Sequence, residues 1–99
     1  MAKYMHGERQ KAAMIQAGIT LWHQGGVAAV TARGIGKIVG KSHAGVLFHF
    51  EGGITALRQE VKQAGIAAGD RVIIQSLLVA GDPIVAHFTD EQRRAWMNA

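Results

Sequence analysis

Glycine divides this chain. At Gly25 and Gly26, Gly40, Gly52 and Gly53, and Gly81 it interrupts stretches in which apolar residues recur every three or four positions. No stretch sustains an alternation of period two, so sheets are excluded and the pattern predicts an all-α fold of helices ended by glycine turns.

The first helix is expected over residues 8–24, with Ala12, Ile15, Ile19 and Trp22 at helical spacing and Met14, Ala17 and Leu21 widening the stripe. Thr31 is a good N-cap for a short helix over 32–39 with Ile35, Ile38 and Val39 inward. Ser42 caps the next, 43 to about 50, which turns Val46, Leu47 and Phe50 into the core. The periodicity then predicts one long helix over 54–80, with a possible break at "AGIAAGD". Its Gly65 and Gly69 form a G-x-x-x-G that permits close helix crossing. Asp82 and Pro83 start a short helix to about Phe88, and "TDEQ" at 89–92 is a capping box opening the last helix through Trp96.

Ninety-nine residues fit one domain with a thin aliphatic core, for which oligomerisation is a common remedy. "VIIQSLLV", Trp96 and Met97 are expected in the core or in a dimer interface. The chain has no cysteine, which removes disulfides and thiolate metal sites and fits a reducing cytoplasm. The N-terminus lacks an apolar signal core, and no apolar run reaches the ~20 residues that span a bilayer. Charge is unevenly placed. Residues 1–63 carry eight cations, Lys3 among them, and three acids, a balance of +5, whereas residues 64–99 balance at −1. The first two thirds therefore suit a polyanion, the alternative being a solvated lysine-rich face.

Between residues 31 and 50 the sequence holds a helix, a tight turn and a second helix, the parts of a helix-turn-helix whose second helix enters the DNA major groove. Ile35, Val39 and Val46 are spaced to meet between the two helices. Gly36 is small where they cross, Gly40 suits the positive φ of the turn, and Gly45 permits close approach to DNA, while Gly34 has no evident reason. His43 and Ala44, with Gly45, open the recognition helix, where side chains reach base edges. Arg33, Lys37 and Lys41 supply phosphate charge, and Thr31 and Ser42 cap helix starts that also suit a phosphate. Metal and catalytic chemistry find no support. His6, His23 and His87 are isolated, His43 and His49 do not share a helical face, and there is no G-x-S-x-G turn or carboxylate placed to orient a histidine.

The stretch "AGITLWHQGGVAAVTARGIGKIVGKSHAGVLFHF" resembles the N-terminal DNA-binding domain of the TetR/AcrR family of bacterial repressors over about residues 9–57, with Ala17, Leu21, Trp22, Gly26, Thr31, Ile35, Gly40, Ser42, His49 and Phe50 in register. The resemblance implies a DNA-backbone contact by His49, the alternative being a half-buried histidine beside Phe50. The family's tyrosine falls at Leu47 and its lysine at Gly53, so two phosphate contacts are replaced here, and Phe48 beside the first has no hydroxyl. Only about 40 residues follow the resemblance, so the family's large ligand-binding domain, and with it a small-molecule effector, is not expected.

The resulting expectation is a TetR-like helix-turn-helix three-helix domain at 1–57, then a long helix and short C-terminal helices at 58–99 that form a dimerisation extension on the same core. The expected function is sequence-specific binding of double-stranded DNA at a palindromic operator by a homodimeric repressor. It would need no cofactor, metal or membrane, do no catalysis, and reside in the cytoplasm on nucleoid or plasmid. The DNA-contacting set is Thr31, Arg33, Lys37, Lys41, Ser42, His43, Ala44, Gly45, Phe48 and His49. Two alternatives stand beside it: an architectural or segregation protein of a plasmid or phage, and a protein-interaction module, such as an antirepressor or adaptor, on the same fold.

Overall fold

The computed structural model describes residues 2–99, with side chains from residue 7 onward. The side chains of Lys3 and His6 lie outside the described residues. The described chain contains six α-helices and no strand: α1 (Ala2–Gly25), α2 (Ala32–Val39), α3 (His43–Leu47), α4 (Gly53–Ala67), α5 (Arg71–Ala80) and α6 (Asp90–Met97), with single 3₁₀ turns at Val27–Ala29 and Pro83–Val85. The all-α expectation holds.

One hydrophobic cluster runs from α1 through to the Pro83–Val85 turn. Met14, Ala17 and Trp22 of α1 meet Ile35, Val46 and Phe50, and the same cluster takes in Leu57 and Val61 of α4, Ile73 and Leu77 of α5, and Val85. Helix α1 is the longest element and packs against α2, α4 and α5. Its approach to α4 is close, because a Cβ at Gly18 would lie 2.6 Å from Val61 Cγ2. At the far end the indole Nε1 of Trp22 donates to Ser76 Oγ on α5 at 3.4 Å.

Two features of the inward pattern differ from expectation, and the 54–80 stretch breaks within the "AGIAAGD" segment the sequence marks for it. Ala12 is exposed, because the buried stripe of α1 runs through Met14, Ala17 and Gly18. Ile38 is 51% exposed, since Ala32, Ile35 and Gly36 form the buried face of α2 and residue 38 falls beside it. The stretch from 54 to 80 is two helices. At the break, Gly69 takes the left-handed region (φ 66°), its neighbour Asp70 donates its N–H to the Gly65 carbonyl at 2.8 Å, and the Asp70 carboxylate caps α5 by accepting from the Ile73 N–H at 3.1 Å. Gly69 thus serves a turn. Only Gly65 serves close packing, with the side chain of Ile73 where its Cβ would be.

The C-terminal caps form as the local sequence predicts. Asp82 accepts from the Ile84 N–H at 2.9 Å, and Thr89 with Gln92 completes a reciprocal capping box at 3.1 and 2.8 Å. Helix α6 buries no residue completely; the Gln75 side chain donates to the Trp96 carbonyl at 2.8 Å, and the half-buried Trp96 ring lies near Gly69. No helix among the described residues is long and apolar enough to cross a membrane.

Candidate nucleic-acid interface

Helices α2 and α3 are joined by a turn whose geometry depends on two glycines. Gly40 is left-handed at φ 74° and ψ 37°, and both its N–H and that of Lys41 donate to the Gly36 carbonyl, at 2.8 and 2.9 Å. The chain folds back so tightly that a Cβ on Gly36 would run into the Lys41 carbonyl oxygen. Gly36 is therefore required by the backbone of the turn more than by the second helix, whose Val46 Cγ2 would be 3.6 Å away. Gly34, unexplained from sequence, is accounted for as well: its Cβ would come within 3.0 Å of both Leu21 Cδ1 on α1 and the Thr31 hydroxyl.

Both helix starts are capped by hydroxyls. Thr31 Oγ1 accepts from the Gly34 N–H at 3.0 Å, and Ser42 Oγ accepts from the Gly45 N–H at 3.0 Å. The nearest neighbour that a Cβ at Gly45 would meet is that cap, Ser42 Oγ, at 3.2 Å. Helix α3 is shorter than expected. After Leu47 the bonds tighten to an i+3 pattern, with the His49 N–H on Val46 and the Phe50 N–H on Leu47. This last turn carries Phe50 into the core at 2% exposure and leaves Phe48 outside at 86%.

Around this framework Arg33, Lys37, Lys41, Ser42, His43, Ala44 and Phe48 are exposed, and Thr31, Gly45 and His49 are half-buried. Phe48 meets the His49 ring edge-on with centroids 5.6 Å apart. Because the Phe48 N–H bonds the Ala44 carbonyl at 3.0 Å, Phe48 extends the outer face of α3 one turn beyond Ala44. His43 and Leu47 instead line a shallow cleft with Thr31, Ala32, Arg33 and Ile54. Leu47 thus faces this cleft, and Gly53 begins α4.

The positive charge of the first two thirds separates into engaged and unengaged groups. Lys11 pairs with Glu60 at 3.1 Å and lies over the Phe50 ring. Lys62 pairs with Asp82 at 2.7 Å, and Arg58 Nε donates to the Val30 carbonyl at 3.0 Å, tying α4 to the segment that leads into α2. Among the described residues Arg9 on α1 and Arg33, Lys37 and Lys41 around the α2–α3 turn make no ion pair, so their charge faces solvent. The Lys62 ammonium, by its hydrogen bond, and then the Ile84 N–H hold the Asp82 carboxyl below the usual carboxylate range, against an opposing effect of burial. Arg58 was not foreseen as a positioning residue, since its partner lies 28 positions away in the chain.

The described residues contain no group of three or more His, Cys, Asp or Glu that could hold a metal ion. No protein-family model, curated protein or solved structure matches the chain.

Proposed function

We propose that the chain is a sequence-specific, double-stranded-DNA-binding transcriptional regulator, a homodimeric repressor acting by occupancy of a promoter. In this reading α2 and α3 form a TetR-like helix-turn-helix, and the protein works in the cytoplasm on nucleoid or plasmid DNA. One observation carries it: the capped, glycine-tightened α2–α3 turn presents Arg33, Lys37 and Lys41 unpaired beside the exposed His43, Ala44 and Phe48. Cations at the flank would hold phosphates, and the first turn of α3 would meet base edges. A five-residue helix reads few base pairs, so two subunits on a palindrome would supply the remaining affinity.

The exposed Phe48 favours a second reading, in which the outer face of α3 docks a protein. A gel shift of the duplex upstream of the chain's own coding sequence, against unrelated duplex competitor, separates the two. A shift that survives competitor supports the regulator. No shift on any duplex overturns it.

A further inference from the structure

Helix α5 has two faces. Ile73, Ile74 and Leu77 are buried in the core, while on the opposite side Val72 is 42% and Val79 75% exposed. Seven positions apart, these valines lie on one line along the helix, separated by about 10 Å. With Gln75, Ser76, Ala80 and the exposed Met97 of α6 they line an open groove that contains no charged residue. A charged polymer has nothing to hold there.

The charge at the ends of α5 is informative. Arg71, the first residue of the helix, is exposed and makes no ion pair among the described residues, and it stands at the end where the helix dipole disfavours a cation. The last turn of α5, where a cation would be favoured, has none. An antiparallel second α5 cures both defects at once. It sets each Arg71 beside the carbonyl end of the other helix and each Val72 against the other Val79.

We infer that this face of α5 seats a second copy of the chain, related by a two-fold axis that crosses α5 between Gln75 and Ser76. Such a contact is isologous, each residue meeting its counterpart about the axis. Ser76 at the centre is small enough to let the helices approach, and the valines pack on either side of it. The inference gives a location to the homodimer of the proposed function and rests on that part of it alone.

The test uses the full chain, whose lack of cysteine makes single-cysteine variants unambiguous. Val72→Cys and Val79→Cys proteins, mixed and oxidised, should cross-link to each other. Neither should cross-link to itself, because like positions sit about 10 Å apart along the axis, beyond the ~7 Å reach of a disulfide. By sedimentation equilibrium the parent should be a dimer at micromolar concentration. Val79→Lys should raise the dimer dissociation constant about tenfold or more, by burying a cation beside the Arg71 of the second copy, while leaving the melting temperature of its monomer near that of a dilute parent. A monomeric parent, an unweakened Val79→Lys dimer, or self-linking by either cysteine variant overturns the inference. Because no readout involves DNA, loss of DNA binding with this dimer intact would count against the α2–α3 reading and leave the interface standing.

Discussion

Replacing Gly36 by alanine tests the α2–α3 turn at its tightest point. Glycine-to-alanine changes inside helices ordinarily gain about 0.5–1 kcal/mol, because the unfolded chain loses freedom. At Gly36 the added methyl meets the Lys41 carbonyl, a backbone atom that moves only with the turn. Overpacking of this kind costs about 1–3 kcal/mol. The movement also strains the two hydrogen bonds, from the Gly40 and Lys41 N–H groups, that end on the Gly36 carbonyl, each contributing about 0.5–1.5 kcal/mol. Set against the helix-propensity gain, the net expectation for Gly36→Ala is a loss of about 2–3 kcal/mol, or roughly 10 °C or more in melting temperature for a domain of this size. Gly7→Ala is the control. A Cβ at that α1 position meets nothing within 4 Å, so the same chemical change should leave stability level or raise it. Urea unfolding followed by tryptophan fluorescence, from the buried Trp22 and the half-buried Trp96, and by far-ultraviolet circular dichroism measures both. If Gly36→Ala proved as stable as Gly7→Ala, the close return of the turn onto α2 would be refuted.

The pairing of Lys62 with Asp82 makes a prediction about acid. Asp82 has its carboxyl pKa lowered by folding, so its contribution is present above the unfolded carboxylate value and is lost as pH falls through the folded one. Asp82→Asn should therefore cost about 1 kcal/mol at neutral pH and progressively less below the ordinary carboxylate range, as read by urea unfolding across pH. In DNA binding, His43→Ala should lose about 1–3 kcal/mol on the preferred site alone, whereas Lys41→Ala should weaken every duplex by the same factor; competition titrations with specific and unrelated duplexes distinguish the two.

How legible the molecule was in its sequence depends on the reach of each interaction. Thr31, Ser42, Asp82 and the Thr89–Gln92 box act over two or three residues, so the residue types at that spacing identify them directly. The turn glycine Gly40 is equally local. Ile38 shows the opposite case: it is chemically identical to Ile35 and one turn away, and only the packing of α1 and α3 onto α2 decides which of the two is buried. The same limit hid the purpose of Gly34, whose neighbour Leu21 belongs to another helix, and the ties from Arg58 to Val30, Lys11 to Glu60 and Trp22 to Ser76. Of the candidate interface, the residue types and the helix-turn-helix order were readable. Which cations remain unpaired, and how far Phe48 projects, required the fold.

The salt dependence of duplex binding tests the central proposal most directly. The three unpaired cations of the α2–α3 region, Arg33, Lys37 and Lys41, would neutralise six phosphates in a dimer, and at about 0.9 counterions released per phosphate log K should fall with log salt at a slope of about −5 from these residues. Between about 50 and 200 mM salt that is roughly a thousandfold loss of affinity. Changing all three cations to alanine should flatten most of this slope. An affinity that stays constant over the same salt range, or a slope unchanged in the triple variant, would contradict the assignment of this face to DNA.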